Sequence, residues 1–185
     1  MRYPAAETAE KHQRILLEAT SLFRERGFSD VSVGEIMKAT GLTHGPFYNH
    51  FDSKEALMAE CVDLGLQTTL DGLLATPGTV EGRTAYLARY LSTAHRDAPG
   101  AGCTMAALAS EIGKEESPLR SPFTRKVKQI IETTASHFPW RSKKTAKGDS
   151  IRMLASMVGA MILARAVDDE AFSEEILQEV RAGLV

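Results

Sequence analysis

Residues 40 to 51, TGLTHGPFYNHF, concentrate side chains that bind through hydrogen bonds and ring contacts. The segment is too polar for a core helix and too rich in aromatic rings for a plain surface loop. On a helix of about 100° per residue, Phe47 and Phe51 share one side and Gly45 and Asn49 face the other. We therefore expect two buried rings to anchor a small polar face that binds another molecule.

That polar face suits the edges of nucleic-acid bases. Gly41 permits a sharp turn from the preceding short helix, which makes a helix-turn-helix in which the second helix enters the DNA major groove. Asn49 can pair with an adenine edge, and Gly45 and Pro46 can approach bases or thymine methyl groups. Tyr48 and Thr43 can reach phosphates.

Lys54, at the start of the following helix, adds a cation and backbone amides suited to a phosphate. The predicted DNA-contacting residues are Ser32, Thr43, His44, Gly45, Pro46, Tyr48, Asn49, His50 and Lys54.

The elements around this segment are predicted to be helical throughout. Ile15, Ala19 and Phe23 recur on one helical face that stops at Gly27, and Ser32 is placed to cap the next helix. Thr43 is placed to cap the third helix, with Pro46 in its first turn, and Asp52 or Ser53 to open the fourth. Later helices are predicted near 81–97, 103–113, 118–137, 149–167 and 173–183. No strand-like alternation competes, so we expect an all-α fold.

Composition places the chain among ordinary globular proteins. Of its 185 residues, 43% are hydrophobic and 25% charged, which suits one domain or two small ones. No apolar run is long enough to span a bilayer, and residues 1–19 lack the apolar centre of a signal peptide. These features predict a cytoplasmic protein. Its histidines and two cysteines lack metal-ligand spacing, so we expect no metal and no cofactor.

The stretch RILLEATSLFRERGFSDVSVGEIMKATGLTHGPFYNHFDSKEALMAE resembles the DNA-binding domain of TetR (tetracycline-repressor-like) regulators. Residues that match the usual family pattern are Gly27-Phe28, Ile36, Gly41, Gly45, Phe47-Tyr48, His50-Phe51 and Lys54-Glu55-Leu57. Mild departures occur at Met37, Thr40, Leu42 and Thr43. The resemblance covers roughly the first 60 residues.

The resemblance implies a homodimer with an N-terminal three-helix domain that reads DNA and a variable C-terminal helical domain. It places the DNA-binding domain at residues 8–68, with the helix-turn-helix at about 31–50, and the effector-binding and dimerisation domain at 69–185. The implied function is a repressor that a small-molecule effector releases from its operator.

The charge of the first 60 residues works against this interpretation. They contain seven Lys and Arg residues against nine Asp and Glu residues, so the expected positive footprint of a DNA-binding domain is missing. Helix N-termini and hydroxyl groups can replace some cations. A helical interaction protein that keeps the fold without binding DNA therefore remains an alternative.

Cys103 precedes a predicted helix, where the helix N-terminus favours the thiolate. A glycine-cysteine pair here is similar to TetR-type regulators that sense electrophiles or oxidants, and the other interpretation is a small residue filling a tight helix entry. The expected pocket lies between residues 81 and 137, with Cys103, Met105 and Phe123 as candidate effector residues beside Tyr90, Leu108 and Ile130. A thiol-dependent enzyme using Cys103 and His95 is the alternative from another class; without any catalytic motif we expect no enzyme.

The segment SIRMLASMVGAMILARAV is apolar on more than one face, which is typical of a helix buried on two sides. It and the last helix predict a four-helix interface between two copies of the chain. The predicted interface residues are Ser156, Gly159, Ala160, Leu163, Ile176 and Val180. The operator, the effector and the choice between repression and activation stay open.

Overall fold

A computed structural model describes residues 5–42, 47–114 and 119–185. Over these residues the chain forms helices and no strand, which confirms the predicted all-α fold. The α-helices are α1 (Ala5–Arg26), α2 (Val33–Ala39), α3 (Lys54–Leu74), α4 (Val80–Tyr90), α5 (Thr93–Asp97), α6 (Thr104–Lys114), α7 (Arg120–His137), α8 (Ala146–Ala166) and α9 (Glu170–Leu184). None of the helices described here is both long and apolar enough to cross a membrane.

Local signals set the ends of α1 and α2. Gly27 ends α1 in the left-handed region at φ 80°, and its amide donates to the Phe23 carbonyl at 2.8 Å. Ser32 caps α2 through a reciprocal capping box with Glu35, as predicted. After α2, Gly41 has φ 70° and the amides of residues 41 and 42 bond back to the last turn, which turns the chain sharply.

The single helix predicted at 81–97 is wrong, because the chain breaks at Leu91 and Ser92 into α4 and α5. Leu91 leaves the helix to be buried in the core, and the Ser92 hydroxyl accepts from the His95 amide at 3.2 Å. Ser92 thus starts a second, short helix. The break turns the His95 ring back towards Tyr90.

The core is continuous along the chain. α3 packs against α1 and α7, α7 packs against α8, and α8 packs against α9. α3 also runs across residues 68 and 69, where the predicted domain boundary lies. One unbroken helix therefore joins the two predicted domains.

Candidate functional site

Residues 47–51, after α2, bury two phenylalanine rings and expose Tyr48 and Asn49. Phe47–Asn49 forms one 3-10 turn, and the rings of Phe47 and Phe51 lie 5.6 Å apart in the core. Tyr48 is 64% exposed, with its ring packed edge-on against Phe47 at 5.1 Å. Asn49 is also exposed. The rings thus hold the turn while Tyr48 and Asn49 face outward.

Four predicted contact residues, Thr43, His44, Gly45 and Pro46, lie outside the described residues. Ser32 is exposed, but its hydroxyl is engaged by the Glu35 amide and carboxylate. The Ser32 hydroxyl is therefore already used to cap α2.

The first turn of α3 is less suited to a phosphate than its sequence indicates. The Lys54 ammonium donates to the Phe28 carbonyl at 2.6 Å. Ser53 Oγ accepts from the Ala56 amide. The pKa of Glu55 is lowered because its carboxylate accepts from its own amide and from Ser53. The Glu55 carboxylate thus already occupies the N-terminal turn of α3, where a phosphate was predicted to bind.

Sequence reasoning missed the histidine pair that supports this turn. The His12 ring stacks on Phe51 at 4.4 Å, and its Nε2 lies 3.0 Å from Glu60 Oε2. The His50 ring lies 6.1 Å from His12, and its buried Nδ1 has no hydrogen-bond partner among the described residues. Burial, together with His12 and Lys11, lowers the pKa of His50. Because His12 and Glu60 are 48 residues apart, no local pattern indicates this cluster.

Contacts join the end of α1 and the turn after it to α6 and the segment before α6. Arg24 Nε donates to Thr104 Oγ1 at 3.0 Å, and Arg24 Nη1 donates to the Gly100 carbonyl at 3.2 Å. The Phe28 amide donates to the Glu111 carboxylate at 2.9 Å. The turn after α1 is therefore held by α6 and by the segment that precedes it.

Glu35, in the first turn of α2, has a strongly lowered pKa. Its carboxylate accepts from Arg26 at 2.6 Å and from the Ser32 amide at 2.9 Å. These bonds lower the pKa of Glu35 to about 2. Glu35 is one of the nine acidic residues within residues 1–60, and its charge is thus paired with that of Arg26.

A cavity of about 510 Å³ opens between α3, α4 and the segment before α6. Its walls include Tyr86, Tyr90 and Cys103, with Arg24 and Arg89. Burial raises the pKa of Tyr86 to about 12 and raises that of Tyr90 further. The cavity falls in the size range of small-molecule sites.

Cys103 is buried at the start of α6, where its carbonyl accepts from the Ala107 amide. The Cys103 amide donates to His95 Nε2 at 3.1 Å, and His95 Nδ1 lies 2.7 Å from the Tyr90 carbonyl. These partners fix the neutral ring with its proton on Nδ1. Both ring nitrogens are occupied, so His95 is not placed to take a proton from the thiol, as the enzyme alternative requires.

The other predicted pocket residues lie elsewhere. Met105, Leu108 and Ile130 are buried in the core, and Phe123 packs against it. They do not line the cavity beside Cys103, whereas Tyr90 does. Cys61 is a buried thiol whose pKa burial raises to about 12. No group of three or more His, Cys, Asp or Glu side chains in the described ranges is arranged to hold a metal.

The predicted dimer residues divide between the two sides of their helices. Leu163 is 56% exposed, and a Cβ at Gly159 would meet no atom within 4 Å. Ser156, Ile176 and Val180 are partly buried. Ala160 is instead buried in the chain's own core, because it follows Met153 and Met157 on the inner side of α8. Ala160 therefore faces the chain's own core and not a partner.

Comparison with known proteins agrees with this architecture. Residues 15–61 match the family model described as bacterial regulatory proteins, tetR family. The chain is 45% identical over 53 residues to the uncharacterized HTH-type transcriptional regulator YdgC of Bacillus subtilis, covering 29% of this chain and 27% of that protein. It is 28% identical over 123 residues to the HTH-type transcriptional repressor DhaR of a Mycobacterium species, covering 65% and 61%.

The matches thus span about a quarter to three-fifths of these relatives' lengths. A crystal structure of a TetR-family transcriptional regulator from Agrobacterium tumefaciens shares the fold, with a TM-score of 0.77 and 21% identity over 95% of this chain and 98% of that one. The exposed turn on its buried rings coincides with the region that the family model matches. Residues 15–61 are therefore similar to the bacterial regulatory proteins of the tetR family.

Proposed function

We propose that the protein is a DNA-binding transcriptional regulator that reads its operator with the segment after α2. The observation that carries this proposal is the turn that exposes Tyr48 and Asn49 on the buried rings of Phe47 and Phe51. Curated relatives that match this region are named HTH-type transcriptional regulators. In this arrangement Asn49 pairs with a base edge and Tyr48 contacts a phosphate.

The regulator acts as a repressor in this proposal, as the name of the relative DhaR states for that protein. Residues 8–68 read the DNA, and residues 69–185 bind the second copy and supply most of the effector site, which Arg24, Gly65 and Thr68 complete. α3 belongs to both parts, so a displacement at its C-terminal half is transmitted directly to the DNA-reading region. Effector binding then releases the operator.

The homodimer forms through exposed apolar residues of α8 and α9. Leu163, Ile162 and Phe172 each expose about half of their side chains on these two neighbouring helices. Gly159 leaves open space where a partner helix can approach closely. With Ser156, Ile176 and Val180 these residues form the proposed interface.

The effector site is the cavity beside Cys103. Arg24 lines this cavity and belongs to α1, so the site touches the DNA-reading region directly. The Cys103 thiol in the cavity wall adds a second candidate class of effector, an electrophile, because its sulfur can add to an activated alkene while its proton passes to the neighbouring carbon. Loss of the response in Cys103→Ser, with normal DNA affinity, identifies that class.

Fluorescence anisotropy with DNA from upstream of the coding region tests DNA binding. We expect specific binding whose logarithm falls linearly with the logarithm of salt concentration. Because the first 60 residues are net acidic, the slope should be shallower than for a strongly basic reader. Asn49→Ala should cost about 1–3 kcal/mol of binding free energy.

Gln129→Ala is the matched control, since Gln129 is an exposed amide on α7, remote in sequence from the reading segment. Its DNA affinity should equal that of the wild type. Equal affinity of the wild type for the upstream DNA and for a scrambled duplex at low salt would favour the interaction protein that keeps the fold without reading DNA.

Light scattering after size-exclusion chromatography tests the dimer. Leu163→Glu should give a monomer, because it buries a carboxylate in the proposed interface. Leu74→Glu is a close control, since Leu74 lies on α3 and is 53% exposed against 56% for Leu163. If both variants remain dimeric, the interface lies elsewhere than on α8.

A further inference from the structure

The cavity beside Cys103 contains a polar atom that the fold leaves unsatisfied. Tyr90 is 9% exposed, and its buried hydroxyl oxygen has no well-aligned hydrogen-bond partner within the described residues, since the nearby Cys103 thiol is only a weak one. A buried hydroxyl without a partner costs roughly 1–3 kcal/mol, so proteins rarely keep one. The Tyr90 ring lines the cavity, and a ligand bound there can supply the missing partner.

The charged groups around the same cavity are all positive. Arg24 and Arg89 line it, and no aspartate or glutamate does. None of the ion pairs within the described ranges includes either arginine. Arg24 is half-buried, and burial lowers its pKa despite the nearby cysteines. A half-buried cation without a counter-ion favours an anionic ligand.

The geometry at Arg24 leaves part of its guanidinium unused. Nε donates to Thr104 and Nη1 to Gly100, while Nη2 has no hydrogen-bond partner in the described part of the chain. Gly65 on α3 makes room for this group, because a Cβ there would lie 2.6 Å from Arg24 Nη2. Nη2 can therefore donate to one carboxylate oxygen at once, and a bidentate pair forms if the second oxygen displaces a neighbouring acceptor.

The remaining walls suit an organic body rather than a bare ion. The rings of Tyr86 and Tyr90 line the cavity together with Ala75, Pro77 and Ala85. We propose that this cavity binds a small organic acid, whose carboxylate is held by Arg24 and by the Tyr90 hydroxyl while its hydrocarbon part lies against the tyrosine rings. The proposal rests on the proposed function, because the acid acts as its effector.

Arg24 also supplies the route to the DNA. It lies on α1, and its bonds to Gly100 and Thr104 hold α1 against the segment before α6 and the start of α6. A bound carboxylate competes with these two acceptors for the same guanidinium. The acid therefore loosens or shifts α1, and with it the turn that carries Tyr48 and Asn49.

Isothermal titration calorimetry at neutral pH tests binding with benzoate, cinnamate and butyrate against benzamide, cinnamamide and butyramide. Each amide matches its acid in shape and lacks the charge. We expect at least one acid to bind at least about tenfold more tightly than its amide. Arg24→Gln should remove that preference, and Tyr90→Phe should weaken acid binding by about three- to tenfold.

Tyr90→Phe keeps the ring and removes only the unsatisfied hydroxyl, so it should fold even if Arg24→Gln does not. Arg83→Gln is the control, because Arg83 lies over the Trp140 ring and does not line the cavity. Its acid affinity should be unchanged. Equal binding of acids and amides, no binding of any acid, or unchanged affinity in both cavity variants overturns the proposal.

DNA release is measured separately, so that the two proposals fail differently. If the protein binds the acid in the calorimeter but does not bind operator DNA, the acid site is supported and the proposed function is wrong. If it binds DNA and none of the acids, the proposed function is supported and the inference of an acid site is wrong. If an acid binds the wild type without releasing DNA, the route through Arg24 is wrong.

Discussion

The turn that exposes Tyr48 and Asn49 and the cavity beside Cys103 are built in opposite ways. The turn is assembled from neighbours in sequence, with Phe47 and Phe51 inside and Tyr48 and Asn49 outside. The cavity brings Arg24, Tyr90 and Cys103 together from distant parts of the chain and buries two of them. The turn exposes its polar side chains at the surface, whereas the Tyr90 hydroxyl is buried at the cavity without a well-aligned hydrogen-bond partner among the described residues.

The difference separates two kinds of site. A surface that reads a large partner needs firm anchoring beneath it, and its polar groups can remain hydrated until they bind. An interior site for a small ligand holds polar groups away from water, so the free protein bears their cost until the ligand arrives. Variants that change anchoring, turn geometry or ring charge test this contrast.

The largest expected effect is on the anchoring of the turn. Phe47 is fully buried, so Phe47→Ala should lower the free energy of unfolding by about 3–5 kcal/mol. Tyr48→Ala removes an exposed ring that only touches the edge of Phe47, and should cost about 0.5–1.5 kcal/mol. Urea unfolding monitored by circular dichroism gives both values. Similar losses in the two variants would mean that the turn is not anchored from below.

A smaller effect should distinguish the two turns that flank α2. Gly27 and Gly41 both have positive φ, so Gly27→Ala and Gly41→Ala should each cost about 1–2 kcal/mol. A Cβ at Gly27 would also lie 2.5 Å from Glu111 Oε1, whereas one at Gly41 meets no atom of the described residues within 4 Å. Gly27→Ala should therefore be the more destabilising, as thermal unfolding can measure.

Glu111→Ala provides the control for that pair. It removes the carboxylate that the new Cβ would displace, together with the bond to the Phe28 amide. In this background the two glycine substitutions should have equal effects. A difference that persists would show that the extra cost at Gly27 does not come from the contact with α6.

The smallest effect is on the dependence of stability on pH. Burial lowers the pKa of both His50 in the turn and His95 beside the cavity, so folding favours their neutral rings. The stability that they contribute is present above the unfolded pKa of about 6.5 and is lost as the pH falls through the folded values. We expect the free energy of unfolding to fall between about pH 7.5 and pH 5.5.

His95→Gln should reduce this pH dependence more than His50→Gln. Protonation of His95 breaks its bond from the Cys103 amide, whereas His50 Nδ1 has no partner to lose. Unfolding titrations at both pH values measure each slope. An unchanged slope in both variants would assign the pH dependence to other groups.

Much of the first half of the chain follows from local chemistry. Ser32 with Glu35 marks the start of α2, and Gly27 and Gly41 mark turns that only glycine adopts easily. The break at Leu91 was missed, because an amphipathic pattern continues through it and only burial of Leu91 in the core favours leaving the helix. Ala160 was misplaced because a helix apolar all round does not reveal which side faces its own core.

By itself, the sequence determined the helical fold, the turn with its two ring anchors, and the resemblance of residues 15–61 to the tetR family. These depend on side chains within a few residues of one another, whose spacing along a helix is known in advance. Only the tertiary structure decided that Arg24 joins Tyr90 and Cys103 at one cavity, that His95 is held at both nitrogens, and that Lys54 is already bonded. Contacts between distant segments depend on how whole helices pack, and no local pattern encodes them.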